Sequence, residues 1–305
     1  MDEIKVIAPA TVSNVVCGFD CLGFALHEPF DEMTVRRIDE RTVTISHLDD
    51  FGLSTDPAQN VAGVALYALM NAADLSHGFD VEILKGIKPG SGIGSSSASA
   101  CGAVVAANAL IGDRFTKPQL IDLAMAGEQL ASGSRHADNL APCIFGGFTL
   151  VRSLAPLDVI GIEYPPLFAT VIHPQIEVKT AVARSMLPSQ VPLKDAVRNW
   201  SNLAALISGL AKADYALIAR SMEDVIVEPV RRSLIPKFNE VKAACLDAGA
   251  IGGGISGSGP SMFMLSETSE TATQVEAAMR QIYSSTGIDF NTYVSQVQPD
   301  GVRAA

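Results

Sequence analysis

Short runs of alternating hydrophobic and polar residues and longer amphipathic stretches follow one another along this chain without a fixed beat. Runs rich in β-branched residues predict strands over 5–8, 33–37, 42–48 and 81–84. Apolar positions at helical spacing predict helices over 57–73, 96–110 and 118–132, followed by a strand over 144–151. Residues 154–166 are rich in proline and carry little periodicity, which puts the boundary between two domains there, at 1–160 and 161–305. Beyond it the pattern predicts a strand at 168–173, helices at 195–210, 213–221 and 234–249, a strand at 261–265, a helix at 271–286 and a last strand at 292–297. Irregular interleaving of this kind favours an α+β fold over a doubly wound sheet.

Composition narrows the class. The chain has 305 residues, 48% hydrophobic and 18% charged, enough for a large core and about two domains. A mean hydropathy of +0.26 argues against disorder. The longest apolar run, residues 100–111, contains Gly102 and Asn108 and falls short of the roughly 18 residues of a membrane span. The opening MDEIKVIAPA begins with acids and enters a strand, so no signal peptide is expected. Five cysteines, odd in number and scattered, lack zinc-ligand spacing and suit small buried residues in a reducing cytoplasm. A net charge of −11 opposes nucleic-acid binding. It opposes a nucleotide too, so a nucleotide site needs local positive potential, for which Lys85 and Lys88 are placed.

The richest local signal is KPGSGIGSSSASAC, residues 88–101. Gly90, Ser91, Gly92 and Gly94 lead into Ser95-Ser96-Ser97 and a small-residue helix. Glycines let backbone N–H groups approach a ligand, and the helix turns its unpaired N–H groups and positive dipole end to the same spot. Such a site holds an anion, most often a phosphate chain. No lysine precedes a Ser or Thr as in a Walker A loop, and the third glycine of a dinucleotide fingerprint is replaced by Ser95. The plain alternative is a glycine-rich turn ahead of a buried helix.

The run Gly-Ile-Gly-Ser-Ser-Ser-Ala resembles the second motif of the GHMP kinases, the superfamily of galactokinase, homoserine kinase, mevalonate kinase and phosphomevalonate kinase. Two more segments match that superfamily in order and spacing: PATVSNVVCGFDCLGFAL over residues 9–26, following the opening strand, and GGISGSGPS over 253–261. The stretch Ser13-Asn14-x-x-x-Gly18-Phe19-Asp20-x-Leu22-Gly23 is similar to the homoserine kinase family in particular. So are HADNLAP at 136–142, TAVAR at 180–184 and Glu228-Pro229-Val230-Arg231. The resemblance spans the chain. It implies a two-domain α+β fold, the N-terminal domain like ribosomal protein S5 domain 2 and the C-terminal one ferredoxin-like, with the site between them.

The same resemblance implies an ATP-dependent phosphorylation of L-homoserine in threonine biosynthesis, by a cytoplasmic homodimeric enzyme with no nucleic-acid or membrane partner. Homoserine is a zwitterion with one reactive hydroxyl, so its pocket wants a carboxylate for the ammonium and arginines for the carboxylate. Asn14, Asp20, Asn139, Arg184 and Arg231 are implied to line it. Lys88, Pro89, Gly90, Ser91, Gly92, Ile93, Gly94, Ser95, Ser96, Ser97 and Ala98 are implied to bind ATP, with backbone N–H groups from 91 to 97 cradling the phosphates and Asn60 helping to hold the base. Mg²⁺ is implied to sit between Ser96 and Glu128. Asn139 stands where mevalonate kinase and galactokinase relatives carry an Asp, and Thr11 where mevalonate kinases carry a Lys. An amide is no base near neutral pH, so Ser96, Glu128 and Asn139 are expected to catalyse without a protein general base. Asp138 is the adjacent alternative base, and His136 is expected to orient. The rival readings are another kinase of the superfamily, of mevalonate or shikimate type, and a non-catalytic sensor on the same fold.

Overall fold

A computed structural model describes residues 2–305. Its spine is a long hairpin of β1 (Glu3–Val15) and β2 (Gly18–Ile38), paired from Glu3 opposite Arg36 to Val15 opposite Gly18. The register shifts between Pro9 and Thr11 and again between Ser13 and Val15. Such bulges bend a strand and re-aim its side chains, here just where the first motif lies. β3 (Val43–His47), β4 (Gly78–Leu84), β5 (Phe148–Leu154) and β6 (Leu157–Ile162) extend the sheet, with β3 and β4 parallel. Helices α1 (Val61–Ala72), α2 (Ser95–Leu110) and α3 (Lys117–Ser132) pack on one another over it, and the short α4 (Leu140–Phe145) leads into β5. Most of α2 is buried, which its Ala, Ser and Gly residues allow by letting neighbours come close.

Most of the rest of the chain builds a second layer pair, and its last strand returns to the first sheet. β7 (Phe168–Pro174) is followed by α5 (Thr180–Ser185), α6 (Leu193–Lys212), α7 (Tyr215–Ser221), α8 (Glu228–Arg231) and α9 (Phe238–Asp247). Then come β8 (Gly252–Ile255), β9 (Met262–Ser266), α10 (Ser269–Tyr283), β10 (Phe290–Gln296) and β11 (Arg303–Ala304). Four strands form an antiparallel sheet in the order β10–β7–β9–β8, and α9 and α10 pack against it. The result is the expected α+β arrangement of two sheets with their own helices.

Several expectations change. The first motif does not follow the opening strand but lies within β1 and β2, because tertiary pairing overrides the loop-like look of Pro, Ser, Asn and Gly. The strand expected at 144–151 starts at Phe148, since α4 runs to Phe145 and Gly146 and Gly147, both at positive φ, break the chain direction. Residues 154–166 are not an irregular linker: β6 pairs with β5 and belongs to the first sheet. Its mostly half-exposed positions hide the alternation that marks a strand. The chain also does not finish at its strand near 292–297, because β11 returns to pair with β1.

One buried cluster joins the two sheets. Phe24 of β2 packs on Phe148 of β5 at 4.8 Å and on Phe263 of β9 at 5.6 Å between ring centroids. All three are within 1% of full burial. Phe24→Ala should therefore lower unfolding free energy by about 3–5 kcal/mol, measured by chemical denaturation.

Candidate active site

The glycine run turns sharply before α2. Gly90, Gly92 and Gly94 all have φ between 74° and 80°, a left-handed conformation that glycine adopts without strain. A Cβ on Gly92 would lie 2.6 Å from the Gly259 carbonyl oxygen, and one on Gly94 would lie 2.1 Å from Thr11 Oγ1. No side chain caps α2, and its first intrahelical bond is Ala98 N–H to Gly94 C=O at 2.8 Å. The N–H groups ahead of that bond are left for a ligand.

The other glycine loop holds this one in place. Ser256 Oγ donates to the Gly92 carbonyl at 2.8 Å, and Ser261 Oγ donates to the Ser91 carbonyl at 2.6 Å. Gly257 N–H donates to the Ser13 carbonyl at 3.1 Å, and Asn14 Nδ2 donates to the Gly257 carbonyl at 2.8 Å. All three motifs thus meet at one point, some 160 residues apart in sequence though two of them are.

Beneath α2 lies a buried ion pair. Lys85 Nζ bonds Asp31, and also donates to the Ser95 carbonyl at 2.8 Å and to Ser99 Oγ at 2.9 Å. Both side chains are at most 1% exposed. Burial pushes the Asp31 carboxyl up, while Lys85 and the N–H groups of Ile87 and Gly86 pull it back. Lys85 was expected to lend the cleft free positive charge. Its charge is instead matched by Asp31, and it ties down the first turn of α2.

A cavity of about 350 Å³ opens where the motifs meet. Of the expected residues, Asn14, Asp20, Asn60, Pro89, Gly90, Gly92, Gly94, Ser95, Ser96, Glu128, Asn139, Arg184 and Arg231 line it. Ser91, Ile93, Ser97 and Ala98 do not: their side chains are buried beside it. The Ser91 N–H is also used within its own turn, on the Lys88 carbonyl at 3.3 Å. Lys88 points its ammonium across to Gln175 rather than lining the cavity. Asn60 caps α1 by accepting from Ala62 N–H at 2.9 Å, and its Nδ2 donates to the Ser54 carbonyl at 2.7 Å. It therefore shapes the wall that holds His47, Leu53 and Val61, none of which the sequence analysis singles out.

The metal expectation meets a fitting donor set. Ser96 Oγ and Ser97 Oγ donate to the same Glu128 oxygen at 3.0 and 2.9 Å, with Ser96 and Glu128 on the cavity wall. Among the described residues no group of three or more His, Cys, Asp or Glu side chains could hold a metal alone. One hydroxyl and one carboxylate suit Mg²⁺, which keeps several waters and takes phosphate oxygens.

Asn139 is fixed from both sides. Thr11 Oγ1 donates to its Oδ1 at 2.8 Å, and its Nδ2 donates to Ser13 Oγ at 2.9 Å. Beside it, burial raises the Asp138 carboxyl to about 6, against the lowering pull of His136 and Ser13. Asp20 and Asn14 both sit at φ near 57°, a conformation Asn and Asp tolerate better than most residues. The Asp20 N–H donates to Asn14 Oδ1 at 2.8 Å. Arg184 of α5 donates from Nη2 to both Asp20 oxygens, at 2.8 and 3.0 Å. Arg231 is 2% exposed and bonds two carbonyls, Ala183 at 3.1 Å and Gly257 at 3.4 Å. Burial and the like charge of Arg184 push its guanidinium down.

Two glycine loops locked together over a cleft between two α+β layers define a small-molecule kinase of the GHMP type. The profile of the GHMP kinases N terminal domain matches residues 60–147, and that of the GHMP kinases C terminal matches 206–285. The homoserine kinase of Chloroherpeton thalassium is 46% identical over 296 residues, 93% of each chain. That of Chlorobium phaeobacteroides is 43% identical over 318 aligned residues, 99% of each chain. The crystal structure of homoserine kinase from Cytophaga hutchinsonii superposes with a TM-score of 0.95 at 46% identity, covering 100% of this chain and 98% of that one. The mevalonate kinase of L. major, solved in complex with R-mevalonate, has a TM-score of 0.74 at 16% identity, covers 97% of this chain and 96% of that one, and shares the fold. This chain belongs to the homoserine kinase family.

Removing one member of the buried pair under α2 should be costly. Asp31→Leu leaves the Lys85 charge unmatched and should lower stability by about 3–5 kcal/mol in denaturant titrations. The double variant Asp31→Leu/Lys85→Met should recover much of that loss.

Proposed function

We propose that this chain transfers the γ-phosphoryl group of ATP to the side-chain hydroxyl of L-homoserine, giving O-phospho-L-homoserine and ADP on the route to threonine. The observation that carries the acceptor half is Arg231: a buried guanidinium whose hydrogen bonds go to carbonyls, next to the Asp20–Arg184 ion pair and opening on the cleft. No carboxylate hydrogen-bonds this buried guanidinium, whose charge only the more distant Asp20, Asp224 and Asp138 offset, and an incoming carboxylate would bond it directly. The zwitterion would exchange the Asp20–Arg184 contact for two of its own. Its ammonium goes to Asp20 and its carboxylate to Arg184 and Arg231. Mevalonate and shikimate carry no ammonium, so Asp20 facing the acceptor disfavours both.

Ser96 and Glu128 would hold Mg²⁺. When bound, the ion neutralises charge on the transferring phosphates. The glycine loop and the N-terminus of α2 position the phosphate chain, and Asn139 orients the acceptor hydroxyl. No general base is required of Asn139. The hydroxyl proton leaves to a phosphate oxygen or to water. A homodimer acting in the cytoplasm completes the reading, and no helix among the described residues is long and apolar enough to cross a membrane.

Release of ADP from ATP·Mg²⁺ should require L-homoserine, with D-homoserine, mevalonate and shikimate giving background rates. Turnover with another acceptor would overturn the substrate assignment; ATP binding without turnover would favour the sensor. Glu128→Gln should lower kcat/KM roughly hundredfold and raise the Mg²⁺ concentration needed for half-maximal rate. Asp138→Asn separates the two proton routes. If no base operates, kcat stays within about tenfold of wild type; a loss of several orders of magnitude with both substrates still bound would make Asp138 the base. Because its carboxyl is raised to about 6, Asp138 gains a proton as pH falls through that value. A protonated carboxyl cannot accept the hydroxyl proton, so the reading without a base predicts a kcat that stays level through pH 6, and a kcat that falls below it in the wild type would make Asp138 the base.

A further inference from the structure

Phe19 stands in the first motif between Gly18 and Asp20, but it does not line the main cavity. It borders a small cavity behind it, together with Asn14, Arg231 and Gly257. Its ring lies under two guanidiniums at once. Arg231 Cζ is 5.0 Å and Arg184 Cζ is 5.6 Å from the ring centroid. These are the two cations that face the acceptor site. They come from separate helices, α5 and α8, and as like charges they repel.

An aromatic face is negative at its centre and attracts a cation within about 6 Å, more strongly where water is excluded. Arg231 is buried, so its contact is of the stronger kind. One ring shared by two guanidiniums offsets their repulsion and fixes the gap between them. An aliphatic side chain would fill the same space without either effect.

We propose that Phe19 positions Arg184 and Arg231 as a pair for one substrate carboxylate, and so sets the site's preference for amino-acid acceptors over plain amino alcohols. This rests on the homoserine reading above. Phe19 touches no reacting atom in this account. It acts through the arginines, and its effect belongs in acceptor binding rather than in the phosphoryl-transfer step.

The test compares Phe19→Leu, which keeps an apolar side chain, with Phe19→Tyr, which keeps the aromatic face. Both are assayed with L-homoserine and with 3-aminopropan-1-ol, the same acceptor without its carboxylate. Phe19→Leu should raise KM for L-homoserine roughly five- to thirtyfold, with kcat and KM for ATP within about twofold. Phe19→Tyr should return KM to within about threefold of wild type. The kcat/KM for 3-aminopropan-1-ol, low in the wild type, should be unchanged in either variant. Equal losses for both acceptors in Phe19→Leu would mean a packing defect and overturn the proposal. So would an unchanged KM for homoserine. A wild-type enzyme inactive on homoserine but active on another acceptor would instead overturn the substrate reading, and this one with it.

Discussion

The carbonyl oxygens of Ser91 and Gly92 are taken by the hydroxyls of Ser261 and Ser256, and the chemistry of the cleft depends on that contact. A trans peptide sends the next residue's N–H to the side opposite its carbonyl. Holding these two carbonyls from the C-terminal half therefore turns the N–H groups of Gly92 and Ile93 away from the serines. A flexible glycine run gains a fixed orientation this way, which a phosphate site needs before any ligand arrives. The contact is possible only because Gly92 lacks a Cβ where the Gly259 carbonyl approaches.

The same logic repeats around the cavity. The Lys85–Asp31 pair anchors the first turn of α2 from below, and Thr11 and Ser13 clamp Asn139 from either side. Asn14 ties the β1–β2 end to Gly257 and to Asp20. In each of these pairs a polar group that faces the cleft is held by a second one behind it. Arg231 differs: its hydrogen bonds go to carbonyls, and only the more distant carboxylates Asp20, Asp224 and Asp138 offset its charge.

The motifs made much of this legible in the sequence. Ser96, Glu128, Asp20, Arg184 and Arg231 lie far apart in the chain, yet the structure gathers them around one cavity. Most helices were legible too, since their apolar spacing is set by burial against a sheet. Three things were not. The partner of Lys85 was hidden because Asp31 lies 54 residues away and nothing local marks the pairing. Strands β6, β8 and β11 were hidden because half-exposed, glycine-rich or two-residue strands leave little alternation to read. The exact lining of the phosphate loop was hidden because small residues can face either way. Only the packing shows that Ser91, Ile93, Ser97 and Ala98 turn inward.

The most direct test is the identity of the product, read by ³¹P NMR of ATP·Mg²⁺, L-homoserine and enzyme. The account predicts a new phosphomonoester signal split by the two protons of the adjoining CH₂, growing in step with ADP. An unsplit acyl-phosphate signal, or inorganic phosphate alone, would contradict transfer to the side-chain hydroxyl and with it the arrangement of the acceptor site.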